Sequence, residues 1–558
     1  MSTKAKIILA LLLAAFALQS YGTIRSKSPT WDETNYFGLG YYLLQHPSWD
    51  IPSSTLHPPL SYYLNSFPFL WYEADESAWN LPPALKGVEK SNLSIPGAGL
   101  RLLTDRRYPT DRLLMLARVP TLLLALLLGY FLFRWAQELY GNPSALCVLF
   151  LFSFCPNMLA HSGLITPDMA LTCFTFISFY CLWKVLRRNG GWGWIIACSL
   201  ATGCALLSKY SALLQVPVFV IAAASIFFSS EDARLPDGFP FSRWLNKKEV
   251  QFRWMRLSIL LLFIVLLALF VLSLGYRFQL HHYFRGVTHQ LLHAEGGHPS
   301  FLLGMYSTSG WWYYYFIAFL LKTPIPLFVL LLTALFFYFK GVLRASPDLI
   351  FMCAPVAAYF ILFSINHQSI GLRYILPAYP FLFMLAGAVV EGVNIIRGRV
   401  WRSVAMVILS CWYLAGSLAM YPHYLAYFNE IAGGPDEGYR YLVDSNLDWG
   451  QDLKGLGLYL KKKGIDRVHL SYFGTADPSY YGIRYDWMPS YYLPEDYREG
   501  SARMRSFTFP TTGMLAISAT NLQNVYFSDK QFYDWLKQYQ PIDKIGYSIF
   551  IYDLDQIR

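Results

Sequence analysis

The sequence predicts an α-helical polytopic membrane protein with about eleven transmembrane helices and a small C-terminal α/β domain. Three observations carry this. Of 558 residues, 55% are hydrophobic and only 14% are charged, too apolar a balance for a soluble chain of this size. The apolar residues gather near 7–24, 113–133, 144–160, 169–186, 193–208, 211–228, 257–275, 324–339, 349–365, 375–393 and 403–420. These runs approach bilayer length and are flanked by Trp, Tyr, Lys and Arg. Beyond the last of them, 421–558 mixes helical and strand patterns over a length sufficient for its own domain.

Taken in order, Lys4 and Lys6 precede the first run and favour a cytoplasmic N-terminus. A signal peptide cleaved near Ala15-Phe16-Ala17 is the alternative, but the uncharged stretch continues to Ile24, which favours a retained span. With the N-terminus inside, the inner loops hold Lys184, Arg187, Arg188, Arg234, Arg243, Lys247, Lys248, Arg253, Arg256, Lys340, Arg344, Arg397, Arg399 and Arg402. The short outer turns hold only Lys209 and Arg373. The net charge of +10 therefore follows the positive-inside pattern and excludes a nucleic-acid partner.

Residues 1–420 form the membrane domain, with large outer loops at 23–112 and 276–323. The second loop ends in Trp311-Trp312-Tyr313-Tyr314-Tyr315-Phe316, which reads as an interfacial helix. In the outer 421–558 region, Asp448 to Lys463 reads as a helix with Leu453, Leu456 and Leu460 on one face. Val468 to Phe473, Met514 to Ser518 and Tyr547 to Tyr552 read as strands. All eight cysteines fall in apolar runs and read as small buried hydrophobes, so no disulfide framework is expected. No internal repeat is visible.

The ionisable residues near the outer face carry the chemistry. Asp32 and Glu33 follow the first run, and carboxylates beside hydrocarbon are costly unless paired or used. Asp168 starts the fourth run, Lys209 sits between the fifth and sixth, Arg373 between the ninth and tenth, and His57 in the first outer loop. Together they place acids and bases on one membrane face. Carboxylates deprotonate a hydroxyl, and Lys and Arg bind a phosphate and neutralise it as a leaving group. The other readings are interfacial snorkelling by Lys209 and Arg373, helix capping by Asp168 and a solvated loop pair at Asp32-Glu33.

A second cluster holds His281, His282, His289, His293, His298 and Glu295. A helix would bring His289 and His293 to one face. The spacing matches no specific metalloenzyme motif, and Gly296-Gly297 predicts a turn before His298, so contacts to a substrate head group or a structural role are favoured over a metal.

In order along the chain, Asp32-Glu33, His57-Pro58-Pro59-Leu60, Thr166-Pro167-Asp168, Ser208-Lys209-Tyr210, Gly297-His298-Pro299-Ser300, Lys322-Thr323-Pro324 and Gly371-Leu372-Arg373-Tyr374-Ile375-Leu376-Pro377 resemble the GT-C glycosyltransferases. The nearest branch is the protein O-mannosyltransferase-like group that includes the aminoarabinose transferases. The run Asp444-Ser445-Asn446-Leu447-Asp448-Trp449-Gly450-Gln451-Asp452-Leu453 is similar to bacterial members of the wider group, which implies a cell (inner) membrane location. The resemblance implies a polyprenyl-phosphate-linked sugar donor and an acceptor entering from the outer side, which is a protein, lipid or glycan. It implies Asp32 as catalytic base, Glu33 and Asp168 as supporting acids, Lys209, Arg373 and Tyr374 as phosphate contacts, and no required cofactor or metal. His57 stands where aminoarabinose transferases have Lys before Pro-Pro, and a neutral His neutralises phosphate less well.

The expected function is inverting sugar transfer. The competing expectation is a lipid-linked sugar flippase or transporter, a class that commonly shows inverted repeats and sites near the bilayer midplane. A scaffold that only displays the 421–558 domain would leave the outer-face charges unexplained.

Overall fold

The computed structural model describes residues 2–45, 49, 52–71, 110–187, 190–229, 250–344, 346–365, 368–395, 399–490 and 507–557. Of the inner-loop cations, Arg188, Arg234, Arg243, Lys247, Lys248 and Arg397 lie outside this set, as does all of 72–109.

Every one of the eleven apolar runs is helical, but their lengths differ. Among the described residues six helices are long and apolar enough to cross a bilayer, from Thr3–Ser26 to Leu372–Val393. A bent pair, counted as one span, makes a seventh. Helices Tyr314–Lys322 and Ile325–Phe339 meet at 110°. The cause is Pro324, which forces the residue before it out of the α region, and Thr323 is extended. The carbonyls freed at this break do not go unpaired. Asn429 Nδ2 donates to Leu320 O at 2.6 Å and Thr323 O at 2.8 Å, as broken helices at membrane depth require. The aromatic run at 311–316 is therefore not one interfacial helix. Trp312 is exposed, whereas Tyr314 and Tyr315 are buried at the start of the bent span.

Up to residue 275 the described α-helices are α1 (Thr3–Ser26), α2 (Trp31–Gln45), α3 (Leu60–Ser66), α4 (Thr110–Tyr140), α5 (Asn142–Ser153), α6 (Pro156–His161), α7 (Pro167–Arg187), α8 (Trp192–Leu206), α9 (Gln215–Ser229) and α10 (Val250–Gly275). Helix α11 (His281–Gly296) follows, then a hairpin of β1 (Ser300–Leu302) and β2 (Met305–Ser307). Helix α7 is the hub. It buries 18 of its 21 residues against α4, α8, α9 and the turn Leu372–Ala378, which explains why it is apolar all round. Cys155, Cys173, Cys181 and Cys198 are buried as expected, but Cys353 and Cys411 are exposed. They lie on helices whose outward faces carry Ile361 and Ile408, where a bilayer-facing apolar side chain needs no protein cover.

The tail builds a five-stranded sheet from β3 (Val468–Ser471), β4 (Tyr485–Trp487), β5 (Met514–Ser518), β6 (Asp543–Ile545) and β7 (Ile549–Asp553), in the order β4-β3-β5-β7-β6. Strand β3 runs parallel to β4 and β5, and β7 antiparallel to β5 and β6. The helix beside it spans Leu453–Lys463 and buries Leu453, Leu456 and Leu460 against Val468, Leu470, Ala516 and Ile551. It starts five residues later than its sequence pattern. Gly450 has φ +87°, and Ser28 draws residues 450–453 into a turn by donating its hydroxyl to Gly450 O and accepting from Leu453 N.

Residues 421–452 belong to neither layer. They form short 3-10 turns at Tyr424–Ala426, Glu430–Ala432, Gly438–Arg440 and Asp444–Asn446 and pack into the membrane helices. Asp448 is buried here, accepting from Thr520 N at 2.8 Å through Oδ2 while Oδ1 has no partner. Burial pushes its carboxyl from 3.8 up to about 8. Between about pH 4 and pH 8 the folded chain therefore holds a proton that the unfolded chain releases, so stability falls as pH rises through that window. Asp448→Asn keeps the shape without the titration, and it should flatten the pH dependence of thermal stability over this range.

Candidate active site

The two carboxylates at Asp32-Glu33 point to different partners. Glu33 is the third residue of α2, and its carboxylate accepts the Thr30 N–H at 2.7 Å, the reciprocal bond of a capping box. It also accepts from Thr30 Oγ1 at 3.1 Å, Arg118 Nε at 2.8 Å, Arg118 Nη2 at 2.6 Å and Ile165 N at 2.9 Å. Both Glu33 and Arg118 are fully buried. Arg118 in turn donates to Ile24 O and Lys27 O at 3.1 Å and to Ser28 O at 2.9 Å, closing orphan carbonyls at the C-terminus of α1. Glu33 is thus the anchor of the α1–α2 corner.

Asp32 lies on the other side of the helix. Its Oδ2 accepts from Arg373 Nη1 at 2.9 Å and Tyr36 OH at 3.3 Å, and about a quarter of its side chain (23%) stays accessible. Arg373 Nη1 also lies 3.8 Å from Asp168 Oδ2. Asp168 Oδ1 accepts from Lys209 Nζ at 2.7 Å. The ammonium of Lys209 sits 4.2 Å over the Tyr374 ring. Four charges from four distant segments thus alternate in sign along one line, on one side of the helix bundle. Two buried polar groups in that line have no hydrogen-bond partner, Arg373 Nε and Asp168 Oδ2.

Beside Lys209 a cavity of about 270 Å³ opens. Its walls are mostly apolar, including Leu213, Leu214, Leu291 and Phe363, with His57, Lys209, Gln290 and Tyr374 as polar edges. His57 is half-buried and packs edge-on against Tyr36 with ring centroids 5.6 Å apart. Its apolar surroundings, and then the nearby Lys209 charge, hold the ring's pKa at about 3. His57 is neutral at physiological pH, so it offers hydrogen bonding and no charge.

The structure therefore brings together Asp32, Asp168, Lys209, Arg373 and Tyr374, with His57 on the cavity wall. Glu33 is turned away into the Arg118 pair. His293 is exposed on α11, the helix that presents Val287, Gln290, Leu291 and Ala294 to the cavity. The His289 and His293 rings stack 6.4 Å apart, on one face as the spacing predicts. His298 lies beyond Gly297, with its ring edge-on to Tyr526 at 5.7 Å. Among the described residues no three His, Cys, Asp or Glu side chains converge as metal ligands would.

Sequence reasoning missed Arg118, Tyr36 and Trp449. Arg118 left a signal, a lone charge within the apolar run 113–133, which calls for an internal partner. Tyr36 stands one helical turn after Asp32, the spacing at which side chains meet.

Fold and site together define a polytopic helical membrane protein with a small C-terminal sheet domain and a charged cluster beside an apolar cavity. Residues 113–234 match the family model described as dolichyl-phosphate-mannose-protein mannosyltransferase. Among solved structures, ArnT from Cupriavidus metallidurans bound to undecaprenyl phosphate is similar, at 12% identity and TM-score 0.49 over 100% of this chain and 99% of that one. The same protein in the apo state gives 13% identity and TM-score 0.48 over 98% of each chain. The oligosaccharyltransferase AglB from Archaeoglobus fulgidus, in complex with an inhibitory peptide and a dolichol-phosphate, gives 12% identity and TM-score 0.45 over 83% of this chain and 59% of that one. No curated protein matches in sequence.

Proposed function

We propose that the chain is an integral membrane glycosyltransferase that moves a sugar from a polyprenyl-phosphate carrier to an acceptor hydroxyl on the outer membrane face. The observation that carries the reading is the partnerless Arg373 Nε, buried in the charged line next to an apolar cavity. A guanidinium with one edge spent on a carboxylate and an N–H left over suits a phosphate oxygen. The apolar cavity walls suit a prenyl tail, and the match of residues 113–234 to the mannosyltransferase family supports the same chemistry.

In this reaction Asp32 removes the acceptor proton as the acceptor oxygen attacks the anomeric carbon. The bond from that carbon to the phosphate oxygen breaks with inversion, and its electron pair leaves on the carrier phosphate. Arg373 and Lys209 stabilise the charge gained there. Donor binding has a further consequence. A phosphate drawing on Arg373 loosens the guanidinium's hold on Asp32 and frees the oxygen that takes the proton. Asp168 keeps Lys209 and Arg373 apart and oriented.

Two measurements in this account concern the donor. Arg373→Ala and Lys209→Ala should each weaken binding of a polyprenyl phosphate to the purified protein by about 1.5–3 kcal/mol, the worth of a charge-assisted contact. His57→Gln should cost less, about 0.5–1.5 kcal/mol, because the ring it replaces is neutral. Equal losses for all three would show that His57 carries charge in the complex. The topology is tested separately. An odd number of spans from an inside N-terminus puts a C-terminal reporter outside the cytoplasm, and a cytoplasmic Arg558 would contradict it.

The acceptor is tested in cells. Mass spectrometry of glycoconjugates with and without the chain should show one sugar-bearing species that depends on it. An unchanged glycoconjugate set together with trapped lipid-linked sugar on the inner leaflet would favour the flippase reading.

A further inference from the structure

We propose that Trp449, a residue of the C-terminal region, is a positioning residue that sets the geometry of both Asp32 and Arg373. The inference rests on the glycosyltransferase reading above. Trp449 touches Arg373 itself and the backbone of the residue before Asp32. Its indole lies 4.2 Å from the Arg373 guanidinium carbon. Its backbone carbonyl accepts the N–H of Trp31 at 2.8 Å, one residue before Asp32 and among the orphan donors at the start of α2.

The way the indole holds the guanidinium is the point. A cation–π contact uses the planar face of the cation and leaves its N–H edges unspent. The Nη1 edge is then given to Asp32, and the Nε edge stays unpartnered. A carboxylate in place of the indole would fix Arg373 equally well, but would consume those edges and cancel the charge.

The segment around Trp449 fixes the same turn from its backbone side. Asn446 Oδ1 accepts from Leu372 N at 2.9 Å, and its Nδ2 donates to Ile370 O at 3.1 Å, so one amide spans the peptide units on both sides of Gly371. The approach is close. A Cβ on Gly371 would lie 2.3 Å from Ser445 Oγ. Thr475 of the tail donates to Trp31 O at 3.1 Å, and Phe473 stacks on Trp31 at 4.9 Å. The run Asp444–Asp452 is therefore a buckle between the sheet domain and the reacting groups, which gives the sheet domain a role in the site.

The test uses the purified full chain, thermal unfolding, and binding of a polyprenyl phosphate. Trp449→Leu keeps bulk without a ring face, and it should weaken carrier binding about tenfold. Trp449→Tyr should stay within about threefold of the original protein, with Trp449→Phe between them. In an Arg373→Gln background Trp449→Leu should cause no further loss, because the partner of the ring is gone. Equal losses for the Leu and Tyr variants, or the same Leu loss in both backgrounds, would mean that Trp449 only supports the fold, and would overturn the proposal. Should Trp449→Leu fail to fold, the order Trp, Tyr, Phe decides, and a flat order overturns it. Failure of the original protein to bind the carrier would overturn the functional reading and this inference with it, whereas the outcomes above touch the inference alone.

Discussion

Replacing Glu33 by glutamine is expected to abolish accumulation of the folded protein. The substitution leaves the Arg118 guanidinium, fully buried, without its carboxylate, and breaking a buried pair from one side costs about 3–5 kcal/mol. That is a large fraction of the stability of a typical domain. The loss would not stay local, because Arg118 also gathers Ile24 O, Lys27 O and Ser28 O. Glu33→Gln removes charge from both the capping bond and the ion pair that hold the corner between α1 and α2. Expression and thermal stability in detergent check this. A stable Glu33→Gln protein with impaired turnover would instead place Glu33 in the chemistry, as the family resemblance implies.

Asp32→Asn should give the opposite phenotype. Asp32 is partly accessible and its partners are Arg373 and Tyr36, so the amide keeps the shape and the Tyr36 contact. Stability should change little. Turnover should fall by roughly 10²–10⁴-fold, the usual worth of a positioned general base. Carrier binding should hold or tighten, since Arg373 is released from a competing carboxylate. Neighbours in sequence thus separate into a residue whose loss unfolds and a residue whose loss silences. Near-normal turnover of Asp32→Asn would make the Asp32–Arg373 pair structural as well.

The membrane helices were readable because hydropathy reports burial in lipid directly, and the amphipathic Leu453–Lys463 helix because Leu453, Leu456 and Leu460 recur at helical spacing. Asp32, Asp168, Lys209 and Arg373 could be singled out for a physical reason, since charge beside hydrocarbon needs a partner. Who pairs with whom could not be read. Asp32 to Arg373 is a contact across 341 residues, and nothing local encodes it. The pairing of Glu33 went unread for a more instructive reason. Thr30-Trp31-Asp32-Glu33 carries the capping-box spacing in plain view, but reading the two acids as one chemical unit hid it. Adjacent residues on a helix point about 100° apart, so a pair in sequence is seldom a pair in space. The bend at Pro324 also left a signal in the proline itself, but the run 324–339 reads as a span of its own. The strands Tyr485–Trp487 and Asp543–Ile545 were not, because three-residue edge strands with half-buried faces carry too little alternation to register.

The most direct test of the account is the fate of the donor's glycosidic bond. Purified protein in liposomes would be given a polyprenyl-phosphate sugar labelled in both the sugar and the lipid, with cell-envelope extract as the source of acceptor. The account predicts that free polyprenyl phosphate appears together with sugar bound to an acceptor, and that Asp32→Asn stops both while still binding the carrier. Donor that crosses the bilayer intact, with equal efficiency in the original protein and in Asp32→Asn, would contradict it.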